Sequence, residues 1–147
     1  MKKSYVVDTT SLISYFGEVF SRPRQISHNA LHIIDKAFKD HDSINLSIPS
    51  IVFVEIFEKW FKDEETSAKI RSEIMTPIYA APNIEIKPLD KEVLENFLKI
   101  RDSRIKFDNH DKIILASSMM LQWPLITSDS KIIKYNKRHR VVPDIIS

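Results

Sequence analysis

Apolar residues along the chain fall into two alternating kinds of pattern, short β-like runs and stretches spaced by three and four. Tyr5, Val6 and Val7 make the first run, which leads into Asp8 and the hydroxyl residues Thr9, Thr10 and Ser11. This predicts a buried strand ending on a carboxylate, then a turn into a helix capped by Thr9 or Thr10. The helix is expected from Leu12 to Phe20, ended by Arg22-Pro23-Arg24. Ile26 to His41 carries Ala30, Leu31, Ile33, Ile34, Ala37 and Phe38 on one face, the spacing of an amphipathic helix. Ile44 to Ile48 alternates as a second strand, and Pro49 suits the first turn of a helix over Ser50 to Phe61.

Thr66 opens another amphipathic stretch through Ile70, Ile74 and Ile78, in which Pro77 forces a kink or an early end. Asn83 to Lys87 predicts a third strand. Asp90 then caps a helix past Val93, Phe97, Leu98 and Ile100, with Leu89 and Leu94 spaced for a hydrophobic staple. Asp108-Asn109-His110-Asp111 stands at the mouth of a helix bearing Ile113, Ile114, Ser117, Met120 and Leu121, which Trp123 and Pro124 end. Leu125 to Thr127 is a fourth strand, followed by Ser128-Asp129, a helix through Ile132 and Ile133, and a last strand around Val141 and Val142. Strands and helices that alternate from end to end predict an α/β fold, a mostly parallel sheet with helices on both faces. No repeat or long linker divides the chain, so residues 1–147 are expected to form one domain.

Composition narrows the chemistry. The chain has no cysteine, which removes disulfides, thiol catalysis and thiolate metal sites, and fits an intracellular, cytoplasmic protein. Asp8 and Glu18 interrupt the apolar run that a signal peptide would need after Lys2 and Lys3, and no stretch is apolar enough to span a membrane. The single glycine, Gly17, excludes the glycine-rich phosphate loops of dinucleotide and P-loop sites. A net charge of +2 does not by itself imply a polyanionic partner. His28 and His32 stand four apart on a helix but have no third ligand near them in sequence, so they are expected at the surface.

The acids carry the stronger signal. Asp8 and Asp129 each directly follow a short apolar strand, while Glu55 and Asp111 fall in the early turns of helices. Alone, Asp8 is either a helix cap or a functional acid, Glu55 either pairs with Lys59 on an exposed edge or serves chemistry, and Asp111 suits a helix dipole. Right-handed crossovers would bring all four to the carboxyl edge of the sheet, where ligands of open α/β folds bind. Four converging carboxylates repel one another unless cations neutralise them, and hard oxygen ligands suit Mg²⁺ or Mn²⁺. Such a site serves phosphoryl chemistry.

Val6-Val7-Asp8-Thr9-Thr10, Ile48-Pro49-Ser50 to Glu55, His110-Asp111-Lys112-Ile113-Ile114 and Thr127-Ser128-Asp129 together resemble the four motifs of PIN-domain nucleases, in order and across essentially the whole chain. The resemblance implies a three-layer α/β/α sandwich around a parallel sheet of about five strands, ordered 3-2-1-4-5. It further implies Asp8, Asp111 and Asp129 as metal ligands, directly or through water, with Glu55 completing the acidic pocket and helping to orient the attacking water. Thr10 would then brace a carboxylate, and Thr127 would do the same for Asp129. Asp108 is either a fifth acid or a cap. Small members of the family are largely VapC-type toxin ribonucleases, which implies an RNA substrate, an antitoxin partner and a homodimer.

Lys131, Lys134, Lys137, Arg138 and Arg140 run without an intervening acid and are candidate RNA contacts, with Tyr135 placed to stack a base; a solvated face explains them equally well. Arg22 and Arg24 are further candidates. The leading expectation is a metal-dependent endoribonuclease. A non-catalytic interaction or RNA-binding module is the alternative. A phosphorylated receiver domain fits poorly, because no paired acids follow the first strand and the third ends on Lys87-Pro88.

Overall fold

The computed structural model describes residues 2–60, 62–101 and 106–147. Its centre is a five-stranded parallel sheet in the order β3-β2-β1-β4-β5. The strands are β1 (Lys3–Val7), β2 (Ile44–Pro49), β3 (Ile84–Lys87), β4 (Leu125–Ile126) and β5 (Ile145–Ile146). Between β1 and β2 come α1 (Thr9–Tyr15), α2 (Gly17–Phe20) and α3 (His28–Lys39). Then α4 (Ser50–Trp60), α5 (Glu64–Ile70) and α6 (Thr76–Ala80) precede β3, α7 (Lys91–Leu98) and α8 (Asn109–Leu121) precede β4, and α9 (Ser130–His139) precedes β5. This is the α/β sandwich and strand order that the motifs imply.

Register follows from burial. Val6 and Val7 of the central strand are fully buried, as are Leu46 and Ile48 of β2 and Leu125 and Ile126 of β4. Central parallel strands covered on both faces require such continuous apolar runs. Val6 stands opposite Ser47 on one side and Leu125 on the other, so β1 and β4 are neighbours and end together. The layers above and below contribute Ile34 and Ala37 of α3, Val52 and Ile56 of α4, and Ile114 and Leu115 of α8 to the same core. Among the described residues no helix is long and apolar enough to cross a membrane.

Several elements depart from expectation for local reasons. The helix expected over Leu12 to Phe20 is two, divided at Phe16, and the carbonyl of Arg22 approaches to 2.9 Å from where a Cβ on Gly17 would stand. Only glycine permits that approach, and the chain turns there. Pro77 does not end its helix. A π-turn over Arg71–Met75 precedes it, in which both the backbone N–H and the hydroxyl of Thr76 donate to the Arg71 carbonyl. One extra residue in the turn accommodates a ring that would collide with the carbonyl four positions back. The last strand is Ile145–Ile146 rather than Val141-Val142: the N–H of Val142 is taken by Asn136 Oδ1, and Val142 itself is buried in the core. Leu89 and Leu94 are both exposed, so they do not form a buried staple. The helix expected through Phe61 is described to Trp60, and Phe61 lies outside the described residues.

Asn83 ties the layers together. Its buried amide donates to the Ala37 carbonyl at 2.8 Å and to the Ile44 carbonyl at 2.7 Å, joining the end of α3, the start of β2 and the entry to β3. Asn83→Ala strands two buried acceptors and is expected to lower unfolding free energy by about 2–4 kcal/mol in urea titrations, with the folded circular dichroism spectrum retained.

Candidate active site

Asp8 leaves β1 one residue after its last pairing with β4 and caps α1. Its Oδ1 accepts the N–H of Ser11 at 2.8 Å, and its Oδ2 accepts the hydroxyl of Thr127 at 2.5 Å. The Thr127 oxygen in turn accepts the N–H of Asp129 at 3.1 Å, so one buried hydroxyl holds the carboxylate of the first acid and the backbone of the last. Thr127 therefore braces Asp8 rather than the Asp129 carboxylate. The N–H of Asp8 and the hydroxyl of Ser11 both donate to the Ile126 carbonyl, fixing the turn to β4 from the other side.

Glu55 lies in the second turn of α4 and is only 8% exposed. Its Oε1 accepts the Thr9 hydroxyl at 2.8 Å, and Lys59 Nζ stands 3.6 Å from its Oε2. The pair with Lys59 thus forms, but around a buried carboxylate rather than on an exposed edge. Asp129 caps α9 through one oxygen, which accepts the N–H groups of Lys131 and Ile132. Asp108 caps α8 by accepting the N–H of Asp111 at 2.8 Å. Asp111 follows in the first turn of that helix.

The electrostatics show which acids face one another. Burial and the negative charges of Asp108, Asp129, Glu55 and Asp8 hold the Asp111 carboxyl up to about 7. Burial also raises Asp8, an effect partly offset by its hydrogen bonds from Ser11 and Thr127 and reinforced by the charge of Asp129. The four predicted acids and Asp108 therefore share one field, and the only ion pair they make among the described residues is the one with Lys59. This donor set is all oxygen and strongly negative, which fits a hard divalent cation. No three acidic or imidazole side chains among the described residues are already gathered as a metal-ligating group. An ion that keeps several of its waters suits a set that acts on it partly at a distance.

Other candidates separate clearly. No hydrogen bond of the Thr10 side chain is found among the described residues; its neighbours Thr9 and Ser11 make the carboxylate contacts instead. Sequence alone did not single them out, although hydroxyl and small residues flanking a strand-end acid are the available signal. Tyr135 is buried, accepts the Arg101 N–H at 2.7 Å and packs edge-on against Phe107, so it cannot stack a base. Lys131, Lys134, Lys137, Arg138 and Arg140 are all exposed. Lys131, Lys134 and Arg138 are spaced three and four apart, which aligns them on one side of α9, beginning within a turn of Asp129. Lys131 donates to the Lys106 carbonyl, and none of the described ion pairs involves α9. His28 and His32 are exposed. A cleft of about 910 Å³ between the α1–α2 turn and α3 includes none of the four acids in its lining.

Comparison with known proteins agrees with the fold. The sequence pattern of the PIN domain family matches residues 5–138. A chain in the crystal structure of VapBC2 from Rickettsia felis, bound to a DNA fragment from their promoter, superposes with a TM-score of 0.67 at 16% identity, covering 98% of this chain and 97% of that one. FitAcB from Neisseria gonorrhoeae gives 0.65 at 16% identity, covering 97% and 96%. VapBC-5 from Mycobacterium tuberculosis, of the VapBC family of toxin-antitoxin systems, gives 0.59 at 16% identity, covering 98% of each chain. No curated protein sequence matches the chain.

The field at Asp111 has a measurable cost. In the unfolded chain this carboxyl ionises near 3.8, in the folded chain near 7, so the folded state holds a proton that the unfolded state releases. Its contribution to stability is full below about pH 4 and is lost as pH rises through about 7. Without divalent cations, Asp111→Asn is expected to melt above the wild type at pH 8, with the difference shrinking steadily toward pH 4. Scanning fluorimetry in EDTA across that range checks it, and parallel pH curves for the two proteins would count against the shared field.

Proposed function

The chain belongs to the PIN domain family, and from that premise we propose that it is a metal-dependent endoribonuclease that hydrolyses RNA phosphodiesters at the acidic crevice. The observation that carries this is the shared acidic pocket in which burial and the negative charges of Asp108, Asp129, Glu55 and Asp8 raise the Asp111 carboxyl. A cluster that destabilises its own charged form has a chemical use when a cation and a phosphate complete it.

Asp8, Asp111 and Asp129, with Glu55, would hold Mg²⁺ or Mn²⁺. Bound there, the ion would supply an acidified water and neutralise charge on the phosphate. The residues of the chain do the positioning. Thr127 fixes the direction of the Asp8 carboxylate, and through the Asp129 N–H it ties that direction to the start of α9. Thr9 holds Glu55 Oε1, which leaves Oε2, beside the largely exposed Lys59, to accept a hydrogen bond from the attacking water and orient it.

Asp129 to Asn and Asp8 to Asn are the direct tests, since asparagine keeps the cap at either position. RNA cleavage by the wild type is expected to require Mg²⁺ or Mn²⁺ and to stop in EDTA. Each variant should lose roughly a hundredfold or more, the scale of removing one group that stabilises a charged transition state. Undiminished cleavage by both variants would sink the assignment.

The outward side of α9 would track the RNA backbone. Replacing Lys134 and Arg138 together by Gln should weaken RNA binding without changing which RNA is preferred, and should flatten the dependence of log K on log salt by about 0.7 for each phosphate that is no longer neutralised. An unchanged slope would assign these cations to solvent.

The structural relatives include a member of a toxin-antitoxin system, and this supports the toxin of such a pair as the biological setting, with an antitoxin protein as the controlling partner. A second copy of the chain is the other proposed partner. Leu94 and Leu98, exposed four residues apart on α7, support an apolar contact of that kind.

A further inference from the structure

A cleft of about 230 Å³ opens beside the acids, lined by Thr9, Thr10, Arg22, Gln25, Lys59 and Trp60 among others. Two of these residues reach the site directly: Thr9 donates to one oxygen of Glu55, and Lys59 pairs with the other. The cleft is therefore adjacent to the chemistry. Its aromatic wall is held in place, because the Trp60 ring packs on Phe20 with centroids 4.9 Å apart. Two cations border that ring. The Arg22 guanidinium carbon lies 5.8 Å from its centroid and Lys59 Nζ 5.9 Å. Both distances are at the outer limit of a cation–π contact, so neither cation is locked onto the ring. The backbone of Arg22 is nevertheless fixed, since its N–H donates to the Gly17 carbonyl and its own carbonyl approaches a position only glycine leaves open.

From these features we infer that the cleft is a nucleobase subsite, in which one unpaired base of the bound RNA strand stacks at Trp60 while Arg22 and Lys59 hold the phosphates on either side of it. The proposal rests on the nuclease assignment above and adds to it where the strand lies. Size favours a base: the cleft is smaller than the 300–1,000 Å³ or so typical of pockets for drug-sized ligands, and too small for a folded peptide segment. Chemistry favours a nucleotide, because an aromatic face flanked by cations is the arrangement that binds single strands. Thr10 and Gln25 add hydroxyl and amide groups that can meet the edge of a base. Thr10 thus belongs to the wall of this cleft rather than to the support of a carboxylate.

The test uses the full chain carrying Asp129→Asn, which removes cleavage but no lining residue, and Trp123→Phe, which leaves Trp60 as the only tryptophan of the two in the sequence. A single-stranded RNA of about ten nucleotides and mixed sequence is the probe. Saturable quenching of Trp60 emission is expected. In the Asp129→Asn chain, Arg22→Gln and Trp60→Leu should each weaken binding about 5- to 150-fold, with Trp60→Phe in between. Because Trp60→Leu also loosens packing on Phe20, thermal melts accompany it, and Arg22→Gln carries the same test on a surface residue. Emission unmoved at saturating RNA, or binding by both Arg22→Gln and Trp60→Phe within about twofold of the parent, overturns the subsite. Metal-dependent cleavage by the wild type, assayed alongside, separates the two claims. Cleavage with unaltered binding in the cleft variants overturns the subsite alone, whereas cleft-dependent binding without any cleavage supports the subsite and overturns the nuclease assignment.

Discussion

The hydroxyl of Thr127 reaching from β4 to the carboxylate of Asp8 at the end of β1 is the contact on which the site depends. It exists because the two strands are neighbours that end together, with Val7 opposite Ile126 and the Asp8 N–H donating to the Ile126 carbonyl. A carboxylate that is only 5% exposed and close to other acids would otherwise rotate toward water or take up a proton. Three donors from the protein restrain this corner: the Ser11 N–H, the Thr127 hydroxyl and, behind it, the Ser11 hydroxyl on the Ile126 carbonyl. The burial that raises the Asp8 carboxyl is thus opposed by bonds that also set its direction. Order of the sheet and order of the acids are one constraint.

Most of this was legible in the sequence, for a physical reason. Apolar runs of β-branched residues ending on an acid, at Val7-Asp8 and again at Ile126-Thr127-Ser128-Asp129, locate both strands and their carboxyl ends at once. Once the sheet is parallel, the edge that collects the acids follows from topology. What escaped were contacts that depend on rotamers and turns. Nothing in Thr9-Thr10-Ser11 says which hydroxyl points at Glu55, since a one-residue shift around a helix start turns a side chain by about 100°. Tyr135 sits in a basic run and looks exposed by its neighbours, yet it is on the buried side of α9 with Ile132. The displaced last strand had the same origin: Val141 and Val142 have the right residue types, but the chain needs them to leave the left-handed cap at Arg140 and cover the core.

Capping and metal chemistry do not compete here as explanations of the acids. Asp8, Asp108 and Asp129 all cap helices. A cap uses the lone pairs that face the first turn, and a carboxylate has about four lone-pair sites. Asp129 accepts both of its helical N–H groups through Oδ1, with no described bond to the other oxygen. At Asp8 each oxygen accepts one protein donor and keeps capacity for another partner. The cap therefore orients the carboxylate at little cost to its function. A side chain anchored to the N–H groups of a helix start has few rotamers, which a functional site requires of its supporting residues.

The same logic distinguishes Asp111 from the others. It lies in the first turn of α8, but its own N–H is occupied by Asp108 and no described hydrogen bond restrains its carboxylate. Burial and the charges of Asp108, Asp129, Glu55 and Asp8 raise its carboxyl to about 7, with no described donor to offset them. A cation bound in the crevice, as proposed, would favour loss of a proton there, because beside burial it is the negative charge of the neighbouring acids that holds the proton on, and the same charge would attract the cation. The well-braced acids give the crevice its shape, and the unbraced one makes its charge responsive to what binds. If the crevice holds a divalent ion as proposed, cation binding and proton release at Asp111 are linked steps, and affinity for the ion would rise with pH through the range in which this carboxyl titrates.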